Sequence, residues 1–117
     1  GQAREKAFRA PVLMLVVVFS EPGDPEIDLA ERLLSAGCAV QNMLLMATAQ
    51  GYGSALTSGK ALKAASLRAL FRLSACEQAL CFISIGTVLS RKAARARPMA
   101  GTYVSTLDAD RGVVPGF

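Results

Sequence analysis

The chain has 117 residues, a formal net charge of +4 and no histidine, and 52% of its residues are hydrophobic before glycine is counted. This length suits one domain. Typical soluble domains reach about 45–50% apolar residues only when glycine is included. The longest apolar runs, residues 12–19 and the interrupted run 36–49, are shorter than the ~18–20 residues of a membrane-spanning helix. We therefore exclude a spanning helix and expect either an obligate oligomer or a part of something larger.

The first twenty residues and the cysteines indicate the cellular compartment of the protein. Residues 1–20 imitate a secretory signal, but Pro11 opens the apolar run and no A-x-A-like cleavage site follows it. Cys38, Cys76 and Cys81 are odd in number and form no CxxC pair. Without histidine they are a poor basis for a zinc site. We expect a cytoplasmic protein with reduced thiols and no bound metal.

The first third of the chain predicts a strand and the start of a helix. Residues 2–9 form a charged helical lead-in that should end before Pro11. Residues 12–19 are β-prone and uninterrupted, which predicts a strand buried on both faces. Asp24 can cap the next helix, with Pro25 at its first position.

A long apolar helix is the central feature of the sequence. Residues 36–49 are apolar except for three polar side chains, so a helix here must be covered on nearly every side. Gly51 is a natural residue to follow its end. Whether this helix continues from Pro25 or breaks near residues 35–37 stays open. The small residues 53–59 predict a loop after it.

The second half of the chain continues with alternating elements. Residues 62–73 predict an amphipathic helix, and residues 80–85 predict a second strand. Residues 91–97 hold four positive charges, and residues 103–107 are a short β-prone piece before a tail rich in glycine and proline. This order predicts an α+β fold or a three-layer α/β sandwich.

The stretch SAGCAVQNMLLMATAQGYGSALTSG, residues 35–59, resembles the central segment of the flavin-dependent nitroreductase family, in its small NAD(P)H nitroreductase-like group. The shared pattern is a long apolar helix with Asn-Met-Leu-Leu, then Gly-aromatic-Gly, then a loop that ends in Thr/Ser-Gly. The resemblance extends upstream to residues 7–11 and downstream to residues 82–87, and more loosely to residues 97–98 and 103–105. The resemblance rests on the occurrence of all these segments in the same order as in the family.

The resemblance implies a three-layer α-β-α sandwich with a mixed, mostly antiparallel sheet and a long buried central helix. It also implies a homodimer in which the central helices pack together and FMN binds at the interface. Family members open with an Arg-Arg-Ser-like segment, two helices and a first strand, and no counterpart precedes residue 7. We therefore expect residues 1–117 to be a single nitroreductase-like domain that lacks its N-terminal portion.

The implied activity is an oxidoreductase that passes electrons from NAD(P)H through FMN to a nitroaromatic, quinone or similar small acceptor. The sequence offers no catalytic side chain, since it has no histidine, no GxSxG and no carboxylate pair in an apolar setting. A cofactor enzyme needs none, because the flavin carries the chemistry. The alternative is a non-catalytic remnant or self-association module that keeps the helix without a working flavin site.

Carried over residue by residue, Leu56, Thr57 and Ser58 match the loop that touches the flavin, and Gly59 closes it. Family members often have tryptophan at the position of Leu56 and a basic residue near Thr57, so this loop is a reduced version of the pattern. The alternative for Thr57 and Ser58 is a plain turn or helix cap.

The basic residues 91–97 lie where family members place a cation on the FMN phosphate. We favour Arg95 or Arg97, because a guanidinium matches phosphate oxygens two at a time. The alternative is a solvated basic stretch. Charge alone also permits nucleic-acid contact, but no aromatic platform or recognition motif accompanies it, so we expect no nucleic-acid partner.

Overall fold

The computed structural model describes residues 9–20 and 25–117. The elements in chain order are β1 Val12–Phe19, α1 Leu29–Ala49, β2 Gly53–Thr57, a 3₁₀ turn Lys60–Lys63, α2 Ala65–Leu70, β3 Glu77–Gly86, a 3₁₀ turn Ala100–Thr102, β4 Ser105–Asp108 and β5 Gly112–Pro115.

Strand β3 is the centre of a three-stranded sheet of order β1-β3-β2, and both of its pairings are antiparallel. Ile83 lies opposite Met14 on one side and Leu56 on the other, and it is fully buried. A strand at residues 12–19 is confirmed, but the predicted burial on both faces is wrong within this chain, because β1 is an edge strand and none of its residues is fully buried. The second predicted strand is longer than residues 80–85. The predicted loop at residues 53–59 is wrong, because residues 53–57 pair with β3. Pairing with a neighbour overrides the low β propensity of glycine, serine and alanine.

The two faces of this sheet carry different side chains. Alternation along a strand sends successive side chains to opposite faces. One face packs against α1 through a core of Val40, Cys81 and Ile83. Met14 and Val16 of β1 add to this core. Leu13, Phe82 and Ser84 belong to the opposite face, since Leu13 pairs with Ser84 in the register.

Helix α1 begins at Leu29, and Asp28 caps it by accepting a hydrogen bond at 2.9 Å from the backbone N–H of Glu31. The predicted start at Pro25 is therefore wrong, because an aspartate that can cap lies four residues nearer the apolar stripe. The predicted cap Asp24 and residues 2–8 of the lead-in helix lie outside the described residues.

The same helix runs unbroken through residues 35–37, which settles the alternative that the sequence left open. It ends where predicted, with Gln50 as cap and Gly51 at a φ of +87°. Arg32 ties its first turn to the sheet by donating to the backbone oxygen of Phe19 at 3.1 Å.

One chain covers only a stripe of α1. Of its 21 residues, Val40 and Ala47 are buried. Leu34, Leu45 and Met46 are 72%, 58% and 58% exposed. The accessible surface of the chain is 9555 Å², against about 6,100 Å² for a compact monomer of this mass. The expectation of a helix buried on nearly every side is therefore not met within the chain itself.

The opposite face of the sheet carries the third layer. The predicted helix at residues 62–73 is split by an extended residue, Ala64, into the 3₁₀ turn Lys60–Lys63 and α2. Phe71, which follows α2, packs on Phe82 of β3 with ring centroids 6.4 Å apart. The α+β class and the antiparallel sheet between helical layers are thus confirmed.

Strands β4 and β5 pair as a separate antiparallel hairpin. The β-prone piece predicted at residues 103–107 is confirmed as β4, but the predicted tail contains β5. Asp108 accepts hydrogen bonds at 2.9 Å from the backbone N–H groups of Asp110 and Arg111. The pKa of the Asp108 carboxyl is lowered, mainly by the backbone bond from Arg111, then by the one from Asp110, and then by the side chain of Arg111. Within the described residues no helix has the length and apolar character to cross a membrane.

Candidate functional site

An open groove of about 1090 Å³ lies on the face of the sheet opposite α1. Its floor is formed by β2 and β3, and its wall by the 3₁₀ turn Lys60–Lys63 and α2. Apolar side chains provide much of its surface. The largest of them are Leu13, Leu62, Leu67, Leu70, Phe71, Phe82, Val88 and Leu89.

The polar groups of the groove are hydroxyls and cations. Arg9 and Lys60 line it, and none of the described lining residues is acidic. Neither cation forms an ion pair within the part of the chain that the structure describes. The hydroxyl-bearing lining residues are Ser54, Thr57, Ser58, Ser66, Ser84, Thr87 and Ser90. The groove is therefore suited to a ligand with an apolar body and a negative charge.

The segment from Thr57 to Lys60 turns the chain from the sheet into the groove wall. Thr57 is the last residue of β2 and lies opposite Phe82. Gly59 then has a φ of +145° and a ψ of 179°, a conformation that is essentially restricted to glycine. Its carbonyl accepts the N–H of Leu62 at 3.2 Å, which starts the 3₁₀ turn. Glycine at residue 59 therefore sets the direction in which Lys60 leaves the sheet.

Two glycines with close neighbours, Gly53 and Gly86, lie opposite each other at the end of the groove away from Thr57. A Cβ on Gly86 would stand 2.9 Å from Cδ of Pro11, and a Cβ on Gly53 would stand 2.8 Å from Cγ2 of Val88. Real Cβ atoms essentially never come this close, so either substitution would displace its neighbour. This packing fixes the chain before β1 beside the chain that follows β3.

The structure separates the residues that the sequence grouped as one site. Thr57, Ser58 and Gly59 line the groove, whereas Leu56 points to the α1 side of the sheet and is 50% exposed. Arg95 and Arg97 lie in an exposed segment without regular structure between β3 and the turn Ala100–Thr102, and neither lines the groove.

Among the lining residues that the sequence did not indicate are Arg9, Lys60, Phe71 and Phe82. The position of Lys60 next to Gly59 was a usable signal. Phe82 was readable from strand alternation, since it is next to the core residue Ile83. The place of Arg9 depends on how β1 pairs with β3, which no local pattern shows.

Among the described residues that line the groove there is no cysteine, histidine or carboxylate. Cys81 belongs to the core on the α1 side of the sheet, and burial raises the pKa of its thiol. A protonated, buried thiol is a poor nucleophile. The arrangement can hold and orient a ligand.

The sequence model of the Nitroreductase family matches residues 2–87. The chain is 32% identical over 90 residues to a Haemophilus influenzae protein named "Putative NAD(P)H nitroreductase", covering 77% of this chain and 49% of that protein. It is 34% identical over 86 residues to the Escherichia coli K12 protein named "Putative NAD(P)H nitroreductase YdjA", covering 74% and 46%.

A solved structure agrees with the sequence relatives on the fold. The crystal structure of a nitroreductase-like family protein from Bacillus cereus superposes with a TM-score of 0.73 at 18% identity, covering 84% of this chain and 51% of that one. The family model, which matches most of the chain, shows that the chain belongs to the Nitroreductase family. It spans about half the length of the curated relatives that it matches.

We expect opposite effects from the same substitution at two glycines. At Gly59 and at Gly37, in α1, an added Cβ would meet nothing within 4 Å. Gly59→Ala should still destabilise the fold by about 1–3 kcal/mol, because its φ and ψ suit only glycine. Gly37→Ala should stabilise it by about 0.5–1 kcal/mol, because alanine favours a helix interior. Urea unfolding of both variants measures this, and a change of the same sign in both would contradict it.

Proposed function

We propose that the protein is an FMN-dependent oxidoreductase that takes electrons from NAD(P)H and passes them to a nitroaromatic, quinone or similar small acceptor. Membership of the Nitroreductase family supports this proposal. The observation that carries it is the groove, which combines an apolar wall with hydroxyls and two cations and has no acidic lining residue among those described.

The residues of the groove fit the chemistry of FMN. FMN has a flat ring system with a polar edge, joined by a hydroxylated chain to a phosphate. When bound, FMN supplies the two-electron chemistry, accepting hydride from a reduced nicotinamide and reducing a second substrate. Leu67, Phe71 and Phe82 offer apolar surface for the ring. The hydroxyls of Thr57 and Ser58 are placed to bond with a polar edge or a hydroxylated chain.

The protein itself therefore has two tasks in this proposal, to position the ligand and to balance its charge. The pairing of Thr57 with Phe82 holds the end of β2 at the groove, and Gly59 sets the direction in which the chain continues after Ser58. Leu56, which we expected to contact the flavin, lies opposite Ile83 on the other face of β2 and does not line the groove. For Arg95 or Arg97 we keep the proposed role of phosphate ligand, although neither lines the groove, and this role is tested below.

We further propose that the chain is one domain that acts as a homodimer, with α1 of each copy at the interface. The exposed apolar side chains of α1 and the surface excess of the chain support this. A cytoplasmic location is supported by the three free thiols Cys38, Cys76 and Cys81. A module that self-associates through α1 without binding flavin is the second candidate, favoured by the same exposed helix.

Flavin titration separates the two candidates. FMN fluorescence should change saturably on addition of the protein, whereas a self-association module would leave it unchanged.

Replacing Arg95 and Arg97 together by Gln should weaken FMN binding by about 1.5–3 kcal/mol per lost charged hydrogen bond. The affinity for riboflavin, which has no phosphate, should fall far less. Arg72→Gln, an exposed arginine outside the groove, is the matched control.

Equal losses for FMN and riboflavin in the double variant would show that Arg95 and Arg97 act through folding. Unchanged FMN binding would remove both residues from the site while leaving the flavin proposal intact.

Self-association predicts a dimer in sedimentation equilibrium. Leu45→Glu should shift it towards monomer, because burial of a leucine side chain contributes ~1.5–3 kcal/mol and a buried, unpaired carboxylate is unfavourable. Ala69→Glu places the same charge on exposed α2 and should leave the dimer unchanged. A monodisperse monomer of the unmodified protein would contradict the proposal.

A further inference from the structure

We infer that residues 88–98 are a site of limited proteolysis, at which a serine protease of trypsin-like specificity cuts after Arg91, Lys92 or Arg95. Hydrolysis of one peptide bond there consumes one water molecule and leaves a new carboxylate and a new amino group. It separates the β4–β5 hairpin from the body of the protein, defined as residues 9–87. This inference does not depend on the proposed flavin site.

The segment is accessible along its whole length. Residues 87–99 have no regular secondary structure and all are exposed, with Leu89 at 95% and Met99 at 78%. Residues 88–98 form no hydrogen bond and no ion pair with any part of the chain that the structure describes. Extended peptides are bound through their main-chain N–H and C=O groups. Here those groups can reach a protease without prior unfolding of the body.

Composition explains why this segment is not a helix. Residues 91–97 are all alanine, arginine or lysine, which favour helices. Helices this short are marginal in water without a packing partner. Arg91 and Arg95 would also repel each other four residues apart on a helix surface, and Pro98 disfavours the helical conformation of the residue before it. The basic residues therefore remain in an extended chain.

The other basic residues beyond residue 11 lie in helices or in hydrogen-bonded turns, namely Arg32, Lys60, Lys63, Arg68, Arg72 and Arg111. The guanidinium of Arg68 donates to the backbone oxygen of Glu77 at 2.9 Å. The backbone N–H of Arg111 donates to Oδ1 of Asp108, also at 2.9 Å. Cleavage at such residues requires local opening, which has a free-energy cost. Residues 91–95 have no such requirement.

A cut in this segment divides two structural units. The core residues Val40, Cys81 and Ile83 all precede it, and so do the three strands of the larger sheet. Strands β4 and β5 form a two-stranded sheet of their own, and an isolated hairpin of this kind is marginally stable in water. We therefore expect the body to stay folded after cleavage and the hairpin to unfold.

A time course with dilute trypsin, read by mass spectrometry, tests the site. The first cut beyond residue 11 should fall after Arg91, Lys92 or Arg95. The fragment that ends there should keep the cooperative thermal unfolding of the intact protein, measured by circular dichroism. Digestion is carried out without flavin, because Arg95 or Arg97 is also proposed to bind its phosphate.

Two variants separate cleavage at this segment from cleavage after general unfolding. Replacing Arg91, Lys92 and Arg95 together by Gln should slow release of the hairpin about tenfold or more, because the remaining sites need local opening. Arg97→Gln is the matched control within the same segment. It should leave the rate unchanged, since the bond after Arg97 leads into Pro98, whose ring fixes the backbone and removes the N–H.

Three results would overturn the inference. The first is an initial cut within residues 12–86 or at Arg111. The second is release of the hairpin from the triple variant at the rate of the unmodified protein, with both showing the same melting temperature. The third is an unmodified protein that stays intact under conditions in which trypsin digests the heat-unfolded chain.

Discussion

The structure depends on the antiparallel pairing of β3 with a strand on each side. Because β1 and β2 both pair with it, the side chains of β3 alternate between two different environments. Ile83 and Cys81 enter the core under α1, whereas Phe82 and Ser84 line the groove. A slip of one residue in this register would exchange the two sets, placing a serine in the core and an isoleucine in the groove. The pairing therefore positions the core and the candidate site together.

The same arrangement explains why the chain has more apolar surface than it buries. The sheet uses one stripe of α1, through Val40 and Leu44, and leaves Leu34 and Leu45 facing away. On the other side, the short α2 covers only part of the sheet and leaves an open groove. These two uncovered surfaces differ in character. The helix face is suited to another apolar surface, whereas the groove, with hydroxyls and cations, is suited to a charged ligand.

Much of the fold was predictable because local patterns decided it. The eight-residue apolar run of β1 and the Gly51 end of α1 are set by composition and backbone conformation, which a sequence shows directly. The start of α1 was misplaced because Asp24 and Asp28 are both plausible caps, and Asp28 lies nearer the apolar stripe of the helix. Strand β2 was missed because its small residues are held by pairing with β3. Of the predicted site residues, Thr57, Ser58 and Gly59 line the groove because they share one turn, whereas Arg9 and Phe71, which were not predicted, come from other parts of the chain.

The central claim is that the ligand occupies the face of the sheet opposite α1. Hydrogen–deuterium exchange with and without FMN tests this claim, because bound ligand slows exchange of the amides that it covers or orders. We expect slower exchange in residues 57–62 and 87–90, with α1 unchanged at constant protein concentration. Protection confined to α1, or to the β4–β5 hairpin, would place the ligand elsewhere and contradict this account.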